Sequence, residues 1–110
     1  MIKYLFFFVS LFFSACGGAS APSKAAVVNP LLLKGESVYK ANCIACHNPD
    51  PAKNGSLGPS IAHSSLELIE ARILRASYPE GYQPKRNSRL MPAMPQLESD
   101  LEALHAFLNQ

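Results

Sequence analysis

Residues 43–47 read Cys-Ile-Ala-Cys-His, and this segment indicates the fold of the chain around it. Two cysteines separated by two residues share one face of a helical turn, because residues i and i+3 are neighbours there. The histidine follows the second cysteine directly. One short segment therefore presents two sulfur atoms and one imidazole to the same place.

This spacing is typical of covalent haem c attachment, in which Cys43 and Cys46 form thioethers and His47 binds the iron. A zinc site would need two further ligands, and His63 and His105 stand alone in the sequence. A redox-active cysteine pair would need a βαβ context, of which the sequence shows no sign. We therefore expect one haem c with one iron atom.

The N-terminus has the features of a bacterial signal peptide, residues 1–15. A short basic start precedes an apolar run, 4–13, that is too short to span a bilayer. Residues 13–18, Phe-Ser-Ala-Cys-Gly-Gly, resemble the lipobox of lipoproteins, which implies lipidation of Cys16. We expect a lipid-anchored protein on the periplasmic side of a bacterial membrane. The alternative is cleavage nearby, which would leave Cys16 free and the protein soluble in the periplasm.

The remaining chain divides into a flexible tether, 16–30, rich in Gly, Ala, Ser and Pro, and one small domain, 31–110. The net charge of +2 gives no drive towards nucleic acid, so no nucleic-acid partner is expected. A local basic cluster of Lys85, Arg86 and Arg89 is a candidate docking rim for an acidic partner.

Periodicity predicts an all-α domain. A first helix is expected over about 32–45. A second is expected to begin at a capping box formed by Ser64 and Glu67 and to end before Tyr78. A last helix is expected to begin at a second capping box, formed by Ser99 and Glu102. Loops rich in Pro and Gly are expected over 48–60 and 79–96. The candidate buried positions of the first helix are Leu33, Val38, Tyr39 and Ile44.

Several stretches between Gly35 and Leu108 resemble small class I bacterial c-type cytochromes: 35–39, Gly-Glu-Ser-Val-Tyr; 57–61, Leu-Gly-Pro-Ser-Ile; 91–97, Met-Pro-Ala-Met-Pro-Gln-Leu; and the aromatic Phe107. The resemblance implies a cytochrome c-like fold of three to four helices around one covalently bound haem. It also implies that Gly35 allows the last helix to cross closely, with Tyr39 and Phe107 beside the crossing.

The same resemblance implies roles in the site. The Pro59 carbonyl would accept a hydrogen bond from His47, and Met91, or alternatively Met94, would be the sixth iron ligand. In the loop before Met91, we expect Tyr82, together with Tyr78, to line the haem edge. Arg86, or Lys85, is expected to meet a haem propionate.

Histidine and methionine ligation fills both axial positions and favours a carrier over a catalyst. We expect the protein to exchange single electrons with a respiratory complex or a periplasmic oxidoreductase. It is expected to be an electron carrier and not an enzyme, or to be the electron-transfer subunit of an oxidoreductase. The alternative is a haem enzyme or a gas or redox sensor with a displaceable distal ligand. A third interpretation, a thiol oxidoreductase, predicts a titratable dithiol and no haem.

Overall fold

The computed structural model describes residues 17–18 and 27–110. The predicted signal peptide, Cys16 and residues 19–26 of the predicted tether lie outside this part of the chain. The described chain forms three α-helices, α1 (Pro30–Asn42), α2 (Leu66–Arg75) and α3 (Leu101–Leu108), with a 3-10 helix, Pro95–Asp100, leading into α3. Residues 27–110 contain no strand, and the predicted all-α class is confirmed.

Helix α1 begins two residues earlier than predicted, because Asn29 caps it. The Asn29 side chain accepts a hydrogen bond from the Leu31 N–H at 3.0 Å, and Pro30 occupies the first turn, where its missing N–H costs nothing. The helix ends at Asn42 rather than Ala45. The predicted burial of Leu33 and Ile44 is wrong: both are exposed, and Ile44 lies beyond the helix whose periodicity placed it inside.

Helix α2 is capped by Ser65, not by Ser64 as predicted. The Ser65 hydroxyl accepts from the Leu68 N–H at 3.1 Å, whereas the Ser64 hydroxyl donates to the Ile61 carbonyl at 2.6 Å. Because Ser64 and Ser65 are adjacent, the three-residue spacing to Glu67 wrongly favoured Ser64 as the capping residue. The helix closes at Ala76, which has the left-handed φ of 49° and donates its N–H to the carbonyls of the last turn.

The predicted capping box at Ser99 and Glu102 is also wrong. The 3-10 helix runs directly into α3, and the Leu101 N–H donates to the Glu98 carbonyl. The first N–H group of α3 therefore has its partner in the preceding turn and needs no side-chain cap. The neighbouring Asp100 carboxylate instead forms an ion pair with Lys34 of α1, at 2.8 Å.

The core forms where α1 crosses α3. Gly35 is buried against the α3 main chain at Ala103, and the rings of Tyr39 and Phe107 lie 5.3 Å apart. The buried apolar cluster comprises Tyr39, Ile69, Ile73, Leu97, Leu101, Leu104, Phe107 and Leu108. No helix among the described residues has the length and apolar character needed to cross a membrane.

Candidate functional site

The cysteine pair lies in a turn that continues from the end of α1. Cys43 is the C-cap residue, and its N–H donates to the Tyr39 carbonyl at 2.9 Å. The N–H groups of Cys46 and His47 both donate to the Cys43 carbonyl, at 3.2 and 2.9 Å. Both cysteines are half-buried and free of any disulfide. Burial, and then the neighbouring Cys46, raise the pKa of the Cys43 thiol to about 11.

The His47 ring is held by the loop that follows it. Its Nδ1 lies 2.8 Å from the Pro59 carbonyl oxygen, which can only accept, so Nδ1 carries the proton and Nε2 keeps its lone pair. Gly58 lies against the ring, and a Cβ there would lie only 2.5 Å from Nδ1. The glycine therefore lets the loop approach the imidazole face.

A cavity of about 220 Å³ opens beside this turn. Its walls come from all three α-helices and from both long loops. Apolar side chains of α2 and α3, including Ile69, Ile73 and Leu104, form its inner wall. The side chains that the sequence predicted for the site all line this one cavity: Cys43, Cys46, His47, Pro59, Tyr82, Arg86, Met91 and Met94.

The two methionines are held differently. Both are half-buried and pack against the core. The Met94 N–H donates to the Ile73 carbonyl at 2.6 Å, and the Met94 carbonyl accepts from the Leu97 N–H at 3.0 Å. Met91 lies in the irregular loop, and within residues 27–110 its main chain makes no hydrogen bond. Met94 is thus fixed at the end of α2, whereas Met91 has more freedom.

Comparison with known proteins bears on what this cavity holds. The family model described as cytochrome c oxidase, cbb3-type, subunit III matches residues 30–108, which is more than two thirds of the chain. The chain belongs to this family of c-type cytochrome domains. No curated protein and no solved structure gives a significant match. The cytochrome accordingly binds one covalent haem c and transfers electrons, as the sequence predicted.

The donor set of the cytochrome fits such a group. Two free thiols, one imidazole with an available nitrogen and two thioethers all border one largely apolar cavity. A zinc ion would need more ligands: the described residues contain no group of three or more His, Cys, Asp or Glu able to hold a metal. His63 and His105 do not line the cavity.

Two basic side chains of the cytochrome tie the distal loop, 79–94, to the loop that follows His47. The Lys85 Nζ donates to the Ser60 carbonyl at 2.8 Å, and Arg86 Nη2 donates to the Gly55 carbonyl at 3.2 Å. Both line the cavity, whereas the exposed Arg89 does not. Within the predicted basic cluster, Lys85 and Arg86 therefore bridge the two loops, whereas Arg89 faces solvent.

Sequence reasoning predicted Tyr78 and Tyr82 at the site but missed Arg72, which lies over the Tyr78 ring in the cavity wall. The Tyr78 and Tyr82 rings are stacked with centroids 5.3 Å apart, and the Arg72 guanidinium lies 4.2 Å from the Tyr78 ring centre. Arg72 also donates to the Ala76 carbonyl at 2.9 Å. In the sequence of α2, Arg72 lies between Ile69 and Ile73, two residues of the apolar stripe. This position was the only sequence signal that Arg72 faces the site.

Proposed function

We propose that Cys43 and Cys46 attach the haem and that His47 is its proximal iron ligand through Nε2. The support is geometric: one turn brings the three side chains to the same cavity, and both thiols are free. The bond from Nδ1 to the Pro59 carbonyl sets the ring orientation and the tautomer that a metal-binding histidine needs. This hydrogen bond is the single observation that carries the assignment.

We infer that Met91 is the sixth ligand, with Met94 as the alternative. The hydrogen bonds on both sides of Met94 suit a residue that anchors the loop to α2. Met91 lies three residues away, where the main chain has no such bonds among residues 27–110, so its side chain has more freedom to reach the iron. Both side chains pack against the core and line the cavity, so each has access to the site.

Haem iron supplies a one-electron couple when bound. The chain contributes the rest. Ile69, Ile73 and Leu104 exclude water from the inner wall and keep the local dielectric low. His47 and a methionine would both be ligands of the iron and leave no ligand position open, so that the site would exchange electrons rather than bind oxygen or substrate. This arrangement suits a carrier with a relatively high reduction potential.

We propose further that the protein works at a membrane, on the periplasmic side, tethered through a lipid on Cys16. The support lies in the sequence: a signal peptide at 1–15, a lipobox-like cysteine and a tether of small residues over 16–30. The domain would extend over 31–110. Acyl chains on one cysteine would hold the domain at the bilayer without a spanning helix.

The partner we propose is a respiratory complex, or else a periplasmic oxidoreductase. The description of the matching family as a subunit of a cbb3-type oxidase supports the first of these. Electron-transfer encounters use small, quickly dissociating interfaces. The exposed apolar residues Leu57 and Leu90 line the cavity, and the basic Arg89 adjoins Leu90, which suits such an encounter.

The test is expression of the full chain in a host with cytochrome maturation, followed by an absorption spectrum and denaturing haem extraction. We expect haem that stays with the protein, and loss of the covalent link in the double variant Cys43→Ala, Cys46→Ala. The matched Cys16→Ser variant should keep its haem and leave the membrane fraction. A colourless wild-type protein would contradict the assignment, and membrane retention of Cys16→Ser would contradict only the anchor.

A further inference from the structure

The peptide group between Pro59 and Ser60 is hydrogen-bonded on both of its sides. Its carbonyl, from Pro59, accepts from His47 Nδ1 at 2.8 Å. Its N–H, from Ser60, donates to the Asn54 Oδ1 atom at 2.9 Å. Because a peptide group is planar, the Asn54 side chain fixes the direction in which the Pro59 carbonyl points.

The loop is folded so that Asn54 reaches this peptide. The Asn54 carbonyl accepts from Asn48 Nδ2 at 3.2 Å, and the next residue, Gly55, donates its N–H to the Gly58 carbonyl at 2.9 Å. On the far side of Ser60, Lys85 Nζ donates to the Ser60 carbonyl at 2.8 Å. Ser60, whose N–H belongs to the peptide that accepts the His47 hydrogen bond, is therefore held by side chains from two loops.

The Asn54 amide has only one orientation consistent with these contacts. The Ser60 N–H is a donor, so the atom facing it must be the Asn54 oxygen, an acceptor. Hydrogen bonds in a chain polarise one another, by about 10–30% per bond. The bond at the Ser60 N–H therefore makes the Pro59 carbonyl a stronger acceptor.

We propose that Asn54 is a positioning residue that tunes His47 as an iron ligand. The inference rests on the proposed coordination by His47. A stronger acceptor at Pro59 draws the Nδ1 proton away from the ring and makes Nε2 a better electron donor. A better donor stabilises oxidised iron, so the Asn54 hydrogen bond lowers the reduction potential.

The experiment compares four variants of the holoprotein with wild type: Asn54→Ala, Asn54→Asp, and the matched controls Asn87→Ala and Asn87→Asp. Asn87 is exposed, and its side chain makes no hydrogen bond with residues 27–110. The reduction potential is measured by equilibrium titration. Exchange of the His47 Nδ1 proton with solvent is measured by NMR on the reduced protein.

We expect Asn54→Ala to raise the potential and to speed the proton exchange about fivefold, which corresponds to about 1 kcal/mol of lost hydrogen bonding. Asn54→Asp keeps an acceptor and adds charge, so it should lower the potential by more than Asn87→Asp does. Asn87→Ala should change neither quantity.

The sign of the change in reduction potential distinguishes the proposed positioning role of Asn54 from a simple loosening of the loop. A looser loop admits water, which favours the more highly charged oxidised form and lowers the potential. A lowered or unchanged potential in Asn54→Ala would therefore overturn the inference. A wild-type protein that contains covalent haem while His47 is not coordinated would overturn the proposed function instead.

Discussion

A Cβ atom placed on Gly35 would overlap the main-chain carbonyl of Ala103. Helices α1 and α3 therefore cross with main chain against main chain at this point. The close approach places Tyr39, one turn further along α1, beside Phe107, with ring centres 5.3 Å apart. The same crossing positions the end of α1, from which the cysteine turn enters the cavity.

Gly35→Ala should destabilise the holoprotein by about 3 kcal/mol, because the added methyl group meets α3 main chain, which moves only if the helices separate. Alanine has the better helix propensity by about 1 kcal/mol, so a smaller loss would mean that the helices separate easily. Denaturant unfolding measures the change. Ser37→Ala, at an exposed position of α1, is the control and should stay within about 0.5 kcal/mol of wild type.

Tyr39→Phe should cost about 1 kcal/mol at pH 7, because the buried hydroxyl donates to the Asn48 carbonyl at 2.5 Å. In the chain before haem attachment, burial, followed by the charges of Cys43 and Asp50, raises the pKa of Tyr39 to about 12 from its ordinary 10. The folded state thus holds this proton more tightly than the unfolded state.

The stability that Tyr39 contributes is therefore complete below pH 10 and is lost as the pH rises through about 12. Unfolding curves between pH 9 and 12 should fall more steeply for wild type than for Tyr39→Phe. Tyr82→Phe is the matched control, since its hydroxyl makes no hydrogen bond with residues 27–110. Parallel curves for wild type and Tyr39→Phe would refute the prediction.

Much of this fold was predictable because its strongest signals are local. The cysteine turn needs only residues 43–47, and the apolar stripes of α2 and α3 have clear helical spacing. The resemblance to c-type cytochromes added Gly35 and Pro59, whose contacts in the structure are those it implied. Each of these features is recognisable within a short segment, although the contact that Gly35 makes is with Ala103 of α3.

Part of what the sequence did not predict depends on partners distant in the chain. Lys85 and Arg86 bind carbonyls 25 and 31 residues away, which no local spacing indicates, and their approach to a propionate or a docking partner stays a prediction. The caps of α2 and α3 were misplaced because adjacent serines have equal propensity and a preceding 3-10 turn removes the need for a cap.

The methionine assignment makes opposite predictions for two variants. Met91→Ala should abolish the sulfur-to-iron charge-transfer band at the red end of the oxidised spectrum. Met94→Ala should keep that band and lose about 1–2 kcal/mol of stability, because a half-buried side chain is removed from the core edge. Loss of the band in Met94→Ala with retention in Met91→Ala would instead identify Met94 as the iron ligand. Retention of the band in both variants, or ready carbon monoxide binding by the reduced wild type, would argue against methionine ligation.

Arg89 should steer negatively charged redox partners towards the cavity. It is exposed, and its neighbours Ser88 and Leu90 line the cavity. A stopped-flow measurement with the anionic oxidant hexacyanoferrate(III) should show Arg89→Gln reacting about two- to threefold more slowly than wild type at low ionic strength. The difference should vanish at high salt, where the Debye length becomes shorter than the approach distance.

The control for steering is Lys40→Gln, which removes the same charge from α1. Lys40 forms an ion pair with Glu36 and does not line the cavity. If the position of the charge matters, this variant should react faster than Arg89→Gln at low salt, because the lost charge lies further from the site of electron exchange. Equal slowing in both variants would mean that net charge alone sets the rate, and a difference that persists at high salt would mean that Arg89 acts by contact.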